Sequence, residues 1–394
     1  MERHRKKPWR RVLSALLMVL SVLVAVVLAV FVYVIAVPRV PEQMVPLSVL
    51  VSGYGLYLVA AALVGLVLAG LTFWSGARKT GGAVAVVAAV ALVFALVPVA
   101  SSWETARDHG ASLSLPDYLA YGPNVGRPVE SLSTVYNRVD GEELELDVKL
   151  PPGEAEEPRP AVVWVHGGGW NIGDRGEVPK WHKWLNDRGY AVFPIDYRLA
   201  PPPRWNQAPA DVKCAVGWVK QHAEEYAVDP SRVMVAGGSA GGNLALMGAY
   251  ADDRVEPSCD VTDTGVAAVA AFYPAIDPAT VWRETGSPGQ VRPWVERYTG
   301  GSPDEVPDRY EAASPYTYVR PGLPPTLIMH GARDHIAPHD MSAALADRLD
   351  QLGVPNRLVT LPYTDHVYDF VWGDWGSQIS RHTFAEFLEE HFPS

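Results

Sequence analysis

The five residues Gly237-Gly238-Ser239-Ala240-Gly241 carry the strongest chemical signal in the sequence. They follow the apolar run 233–236 and precede a helix-like run containing Leu244, Leu246 and Met247. A serine between small residues in a strand–turn–helix setting is presented as a nucleophile: the turn is so tight that its neighbours must be nearly free of side chain. The hydroxyl then lies at a helix N-terminus, whose dipole favours developing negative charge. A hydroxyl of ordinary pKa attacks poorly, so this reading demands a general base and an acid to orient it.

A second signal is His166-Gly167-Gly168-Gly169-Trp170, directly after the apolar run 161–165. A tetrahedral acyl intermediate needs donors aimed at its oxyanion. Glycines let bare backbone N–H groups come close, as in the HGGG element of acyl hydrolases. Gly168 and Gly169 are the expected oxyanion donors, with the N–H of Ala240 completing the hole. A phosphate-cradling loop would show G-K-[ST] or G-x-G-x-x-G, and neither is present. His166 is expected to orient the loop rather than transfer protons.

The strand–turn–helix serine resembles a nucleophile elbow, and that resemblance implies an acid and then a histidine later in the chain. After Ser239, the run 327–334 is a strand leading into a loop that bears Asp334, and 361–366 is another leading to His366. Asp334 is expected to hold the His366 tautomer and stabilise its imidazolium. His330 is expected to pack at its strand end, and His335 and His339 precede the final strand. Asp365 would have to reach back past its own backbone, and Asp369 lies towards the next helix. Tyr197 and Arg198 read as braces for the loops, Asp211 as a helix first-turn acid and Asp174 as a cap. Trp170, Trp282 and Trp294 are candidates to line an acyl pocket.

The elements that must position these groups are short apolar runs alternating with amphipathic stretches. The runs are 133–139, 144–150, 161–165, 191–195, 233–236, 266–272, 326–329 and 357–361; helix-like segments fall near 177–188, 211–226, 240–251, 340–352 and 377–391. Asp140-Gly141 joins the first two as a hairpin. Near-continuous β-rich runs between helices imply a mostly parallel sheet covered on both faces. Residues 278–322, rich in Pro, Gly and aromatics, read as a small cap insertion.

HGGGW (166–170), DYRLAP (196–201), GGSAGG (237–242), HGARDHIAP (330–338) and Asp365-His366 together resemble the bacterial esterase/lipase branch of the α/β-hydrolases, close to hormone-sensitive-lipase-like esterases. The resemblance runs over 136–392, about two-thirds of the chain. It implies an α/β-hydrolase fold and a serine hydrolase acting on carboxylic esters without metal or organic cofactor. One departure is Gly238, where hormone-sensitive-lipase-like members usually carry Asp. The GGSAGG form looks more like a related branch of esterases and acyl-amide hydrolases.

The first hundred residues differ in kind. They hold two acidic residues, Glu2 and Glu42, and nine basic ones, which leaves 24 − 42 = −18 for the rest of a chain whose formal net charge is −11. An acidic domain of that size repels phosphate backbones, so nucleic acid is not an expected partner. Three uncharged apolar stretches, roughly 12–37, 47–74 and 83–103, each exceed the ~20 helical residues that cross a bilayer. No Asp, Glu, Lys, Arg or His falls within them, so anchoring is their expected role. Arg3, Arg5, Lys6, Lys7, Arg10 and Arg11 before the first, and Arg78 and Lys79 before the third, favour a cytoplasmic N-terminus. The expected layout is a membrane anchor over 1–103, a linker over 104–130 and a catalytic domain over 131–394 on the extracytoplasmic side.

Cys214 and Cys259 lack metal-ligand spacing. They read as two small buried residues, or as one disulfide if the domain lies outside the cytoplasm. The leading expectation is hydrolysis of a small-molecule or lipid ester through an acyl-enzyme. The alternatives are an envelope acyltransferase or acyl-amide hydrolase using the same triad, and a membrane-anchored binding module without catalysis.

Overall fold

The computed structural model describes residues 8–124, 131–153, 155 and 157–393. It divides into two compact units, Met1–Asp108 and His109–Ser394. Arg3, Arg5, Lys6 and Lys7 lie outside the described residues.

The first unit is helical: α1 (Pro8–Ala36), α2 (Val45–Gly53), α3 (Gly55–Ser75) and α4 (Arg78–Asp108). Three segments, Arg11–Ala36, Gly55–Ser75 and Arg78–Asp108, are long and apolar enough to cross a membrane. The stretch 47–74, expected as one span, is broken at Tyr54, because glycines on both sides weaken the helix there. Helix α4 outruns the apolar stretch 83–103 at both ends, taking in 78–82 and 104–108. Leu28, Ala62, Ala88 and Ala91 pack together, and the Ser21 and Thr72 hydroxyls meet at 2.7 Å in the same interior. The outward side is apolar: Val67, Val86 and Trp74 are 63, 65 and 83% exposed, a surface suited to lipid.

The second unit opens with α5 (Leu115–Ala120) and continues β1 (Leu132–Val139), β2 (Glu142–Val148), β3 (Arg159–Val165), α6 (Pro179–Asn186), β4 (Ala191–Ile195), α7 (Gln207–Gln221), β5 (Val228–Gly238) and α8 (Ala240–Tyr250). Then come β6 (Ala268–Phe272), α9 (Pro278–Glu284), α10 (Pro288–Thr299), α11 (Pro307–Ala312), β7 (Thr326–Gly331), α12 (Asp340–Gln351), β8 (Asn356–Leu361) and α13 (Trp375–His391). The eight strands form one sheet in the order β1-β2-β4-β3-β5-β6-β7-β8. β1 and β2 are antiparallel and joined by Asp140 (φ 54°) and Gly141 (φ 80°), the left-handed pair a two-residue hairpin requires. From β4 to β8 the pairing is parallel. Residues 161–165 and 191–195 are wholly buried because helices cover both faces, which is why these strands show no alternation.

The register sets the site. Val165 pairs with Gly237, Gly238 with Phe272, Phe272 with Met329, and Gly331 with Leu361. The chain therefore leaves β3, β5, β6, β7 and β8 at one rim. The insertion expected over 278–322 holds α9, α10 and α11, each started by a proline whose missing N–H costs nothing in a first turn.

Part of the expected linker 104–130 is structured. Residues 104–108 finish α4, and α5 is capped by Ser114, whose Oγ accepts the Asp117 N–H at 3.2 Å. The Gln378 side chain on α13 accepts from Ser114 N at 2.7 Å and donates to Ser114 O at 3.0 Å. Residues 125–130 lie outside the described residues. The reading of Cys214 and Cys259 as free buried thiols is corrected: they form a disulfide with a Cα–Cα distance of 5.4 Å. It ties α7 to the segment before β6.

Candidate active site

Strand β5 ends at Gly238, and α8 begins one residue later, at Ala240. Ser239 makes the turn at φ 57° and ψ −123°, a region non-glycine residues rarely occupy. Its N–H donates to Phe272 O at 2.9 Å, pinning it to the end of β6. A Cβ on Gly237 would lie 2.5 Å from Gly241 O and 2.6 Å from Val165 O, so this turn excludes a side chain there. Ser239 itself stays partly open to solvent.

His366 Nε2 is 2.8 Å from Ser239 Oγ, and its Nδ1 is 2.6 Å from Asp334 Oδ2. An ionised carboxylate only accepts, so Nδ1 carries the proton and Nε2 is left to accept from the Ser239 hydroxyl. Asp334 has no exposed side-chain surface. Its Oδ1 accepts the N–H groups of Ile336 and Ala337, both at 2.8 Å. Burial opposes its charge, but the imidazole of His366 and hydrogen bonds from His330 and His366 outweigh it. The Asp334 pKa consequently lies well below the usual carboxylate range.

Asp365, Asp369, His335 and His339 have other partners. Asp365 Oδ1 accepts from His366 N at 2.8 Å and His335 N at 3.0 Å, while Oδ2 meets His335 Nδ1 at 2.7 Å. Burial lowers the His335 pKa, yet Asp365 more than compensates and the net shift is upward. Asp369 is buried between Tyr273 Oη at 2.6 Å and Trp181 Nε1 at 2.7 Å, and burial raises its pKa against those two donors. His339 Nε2 bonds the Thr360 hydroxyl at 2.8 Å.

The glycine loop after β3 runs through left-handed backbone, with φ 96° at Gly168, 60° at Gly169 and 61° at Trp170. A Cβ on Gly168 would run into the carbonyl oxygen of Ile172. Tyr197 Oη donates to His166 O at 3.2 Å and Gly167 O at 3.1 Å, and its ring stacks on His166 at 4.3 Å. Asn171 Nδ2 donates to Gly169 O and, at 3.0 Å, to Trp294 O, tying the loop to α10. Among the described residues no acceptor takes the N–H of Gly168, Gly169 or Ala240. Ala240 is the first residue of α8, where no intrahelical acceptor exists.

The three tryptophans part company. Trp170 is 2% exposed and stacks on Tyr298 of α10 at 4.4 Å. Trp282 is turned to the cap's own surface, donating to Glu296 at 2.8 Å beneath Arg292. Only Trp294 faces the glycine loop; a Cβ on Gly169 would come within 2.8 Å of its ring. Arg198 reaches Asp211 at 2.7 Å, and Asp211 sits within α7 as that guanidinium's buried partner, not as a first-turn acid. Asp174 Oδ1 accepts the Gly176 N–H at 2.7 Å in a local turn.

Sequence reasoning gave no part to Tyr273, Trp181 and Glu177. The Glu177 carboxyl lies close to Gly167 beside the serine, and burial, with Asp174 and Asp369, raises its pKa against the opposing influence of the Gly167 backbone. Nothing local in the sequence marks these residues, since each acts across the sheet rim. Among the described residues no group of three or more His, Cys, Asp or Glu is arranged to hold a metal.

A largely parallel sheet in this strand order, with a serine at the β5–α8 turn facing a histidine after β8, is the arrangement of an α/β-hydrolase. The chain belongs to the BD-FAE family, whose sequence profile matches residues 146–349. It is similar to the probable carboxylic ester hydrolase LipM of Mycobacterium tuberculosis, 32% identical over 239 residues, 59% of this chain and 54% of that one. Esterase LipQ of the same organism is 29% identical over 256 residues, 64% of this chain and 56% of LipQ. The chain thus spans little more than half the length of these relatives. Among solved structures, Thermogutta terrifontis esterase 2 superposes with a TM-score of 0.57 at 29% identity, covering 68% of this chain and 98% of the esterase. That esterase has also been solved phosphorylated by paraoxon and with propionate or butyrate bound.

Proposed function

We propose that the protein is a membrane-anchored carboxylic ester hydrolase working through an acyl-enzyme on Ser239. The observation that carries this is the His366 ring, 2.8 Å from the Ser239 hydroxyl on one side and 2.6 Å from Asp334 on the other. Ser239 Oγ attacks the ester carbonyl carbon while His366 Nε2 takes its proton. The carbonyl oxygen, now an oxyanion, receives the N–H groups of Gly168, Gly169 and Ala240. Collapse of the intermediate breaks the bond to the alcohol, which leaves with the proton from His366. Water then attacks the acyl-enzyme with His366 again as base, releasing the acid and restoring Ser239.

The propionate and butyrate bound to the Thermogutta esterase support a small or medium acyl group. The three apolar helices support an anchor, and the basic residues before the first and third support an extracytoplasmic catalytic domain. The Cys214–Cys259 disulfide agrees with an oxidising compartment.

The test is covalent labelling of the full chain by a fluorophosphonate or paraoxon, alongside hydrolysis of nitrophenyl esters of graded length. Both should occur in wild type and vanish in Ser239→Ala. Folded wild type that neither labels nor hydrolyses any ester removes the proposal. Tags at the C-terminus and at residues 76–77, between α3 and α4, should report opposite sides of the membrane.

A further inference from the structure

A second imidazole rests on the Asp334 carboxylate. His330 lies in β7 with no exposed surface, and its Nε2 stands 2.9 Å from Ala337 O and 3.2 Å from Asp334 Oδ2. Both oxygens only accept, so Nε2 bears a proton shared between them. Nδ1 of the neutral ring is then an acceptor, and the buried Ser342 hydroxyl in the first turn of α12 donates to it at 2.7 Å. That bond fixes both the tautomer and the ring. Asp334 therefore collects four N–H donors: two backbone groups on Oδ1, and His366 and His330 together on Oδ2.

Oδ2 is the oxygen that holds the His366 Nδ1 proton. Every further donor on it draws off negative charge and weakens its pull on the imidazolium that forms when His366 takes a proton. We propose that His330 is a positioning residue of the Ser239–His366–Asp334 site, setting through the shared Asp334 oxygen how strongly His366 holds a proton. This rests on the triad proposed above and goes beyond it, because His330 touches neither the serine nor the base.

The other charged or titratable groups facing the pair are identifiable. From the β7–α12 loop come His335, bound to Asp365 at 2.7 Å, and His339, whose ring is 5.5 Å from that of His330 and whose Nδ1 is 4.0 Å from the exposed Asp340. Beyond β6 stands Tyr273, its ring 4.8 Å from His366 and its hydroxyl on Asp369 at 2.6 Å. The variants below leave all of these in place.

The experiment measures the rate of fluorophosphonate inactivation of the full chain against pH, for wild type, His330→Leu, His330→Gln and Ser342→Ala. Loss of the donor makes Asp334 more basic, and His366 with it. The acid-limb midpoint should rise by about half a pH unit or more in His330→Leu. In His330→Gln, whose amide N–H replaces Nε2–H, it should return towards wild type. Ser342→Ala, which frees the other tautomer, should give a smaller rise. Coincident midpoints for His330→Leu and wild type, or an equal shift in His330→Gln, overturn the inference; a packing role alone lowers the thermal midpoint and leaves the pH midpoint where it was. Should His330→Leu fail to fold, an unmoved midpoint in Ser342→Ala overturns it equally. Wild type that reacts at no pH sinks the triad itself, a result distinct from reaction at an unchanged midpoint.

Discussion

Replacing Asp334 by Asn changes one atom and should remove most of the activity. Two backbone N–H groups, from Ile336 and Ala337 at 2.8 Å, hold Oδ1. In Asp334→Asn they select the amide oxygen for that place, which turns the NH2 towards His366 Nδ1. In wild type that contact is the 2.6 Å hydrogen bond in which Nδ1 donates. Two donors cannot face each other, so the His366 proton moves to Nε2, and Nε2–H has no lone pair for the Ser239 hydroxyl. The base is lost while the shape is kept. Wrong-tautomer substitutions of this kind cost about 10⁴ in kcat, equivalent to roughly 5.4 kcal/mol at 1.36 kcal/mol per tenfold. KM should move little, because the amide touches no substrate. The assay is steady-state hydrolysis of nitrophenyl acetate with the thermal midpoint measured in parallel. A folded Asp334→Asn protein retaining kcat within tenfold of wild type would refute the tautomer argument.

Gly168→Ala drives a Cβ into the Ile172 carbonyl at φ 96°, so the loop must shift and its N–H with it; kcat should fall by about 10²–10³, and an unchanged kcat removes this donor. Reducing the Cys214–Cys259 disulfide, which spans 45 residues, should cost about 2–4 kcal/mol, seen as a lower thermal midpoint with dithiothreitol that the double Ser variant no longer shows. For His335 the folded pKa is raised above its value of about 6.5 in the unfolded chain. Its contribution is therefore complete below that pH and is lost as pH rises through the folded pKa. Thermal stability should decline with rising pH through this window, and Asp365→Asn should flatten the decline; an unaltered slope would mean that other groups control it.

The residues around Ser239 were legible because their chemistry dictates their type. The Gly237 turn has no room for a side chain, and the loop after β3 needs left-handed φ at Gly168 and Gly169, so glycine is written into the sequence at these points. The strands were legible because burial on both faces leaves unbroken apolar runs. Contacts made across distance left no such trace. The Ser114–Gln378 pair that docks α5 joins residues 264 apart, and neither has a neighbour announcing it. Two cysteines 45 residues apart carry no geometry of their own. Trp170, like any aromatic, shows in the sequence how much it can bury and not which way it faces; its partner, Tyr298, lies on α10. The four-residue interval between His330 and Asp334 is plain in the sequence, but its meaning depends on Ser342, set by the packing of α12.

The lack of a side chain at Gly238 has a similar explanation at longer range. A Cβ there would fall 2.8 Å from the Tyr273 hydroxyl and 3.1 Å from the carbon bearing it. The hydroxyl has little freedom to retreat, because it donates to Asp369 at 2.6 Å, and Trp181 holds the other oxygen of that buried carboxyl at 2.7 Å. The small residue at 238 and the tyrosine at 273 are therefore two halves of one choice, with Asp369 supplying a carboxyl to this rim from much later in the chain. Gly238→Ala should cost about 1–3 kcal/mol by forcing Tyr273 off Asp369. Tyr273→Phe should cost a similar amount by removing the same hydrogen bond. Since each change destroys one interaction, the double variant should be less destabilised than the sum of the two, with a coupling of about 1 kcal/mol or more in a double-mutant cycle. Strict additivity would mean that Gly238 is small for the serine turn alone and that Tyr273 has no part in it.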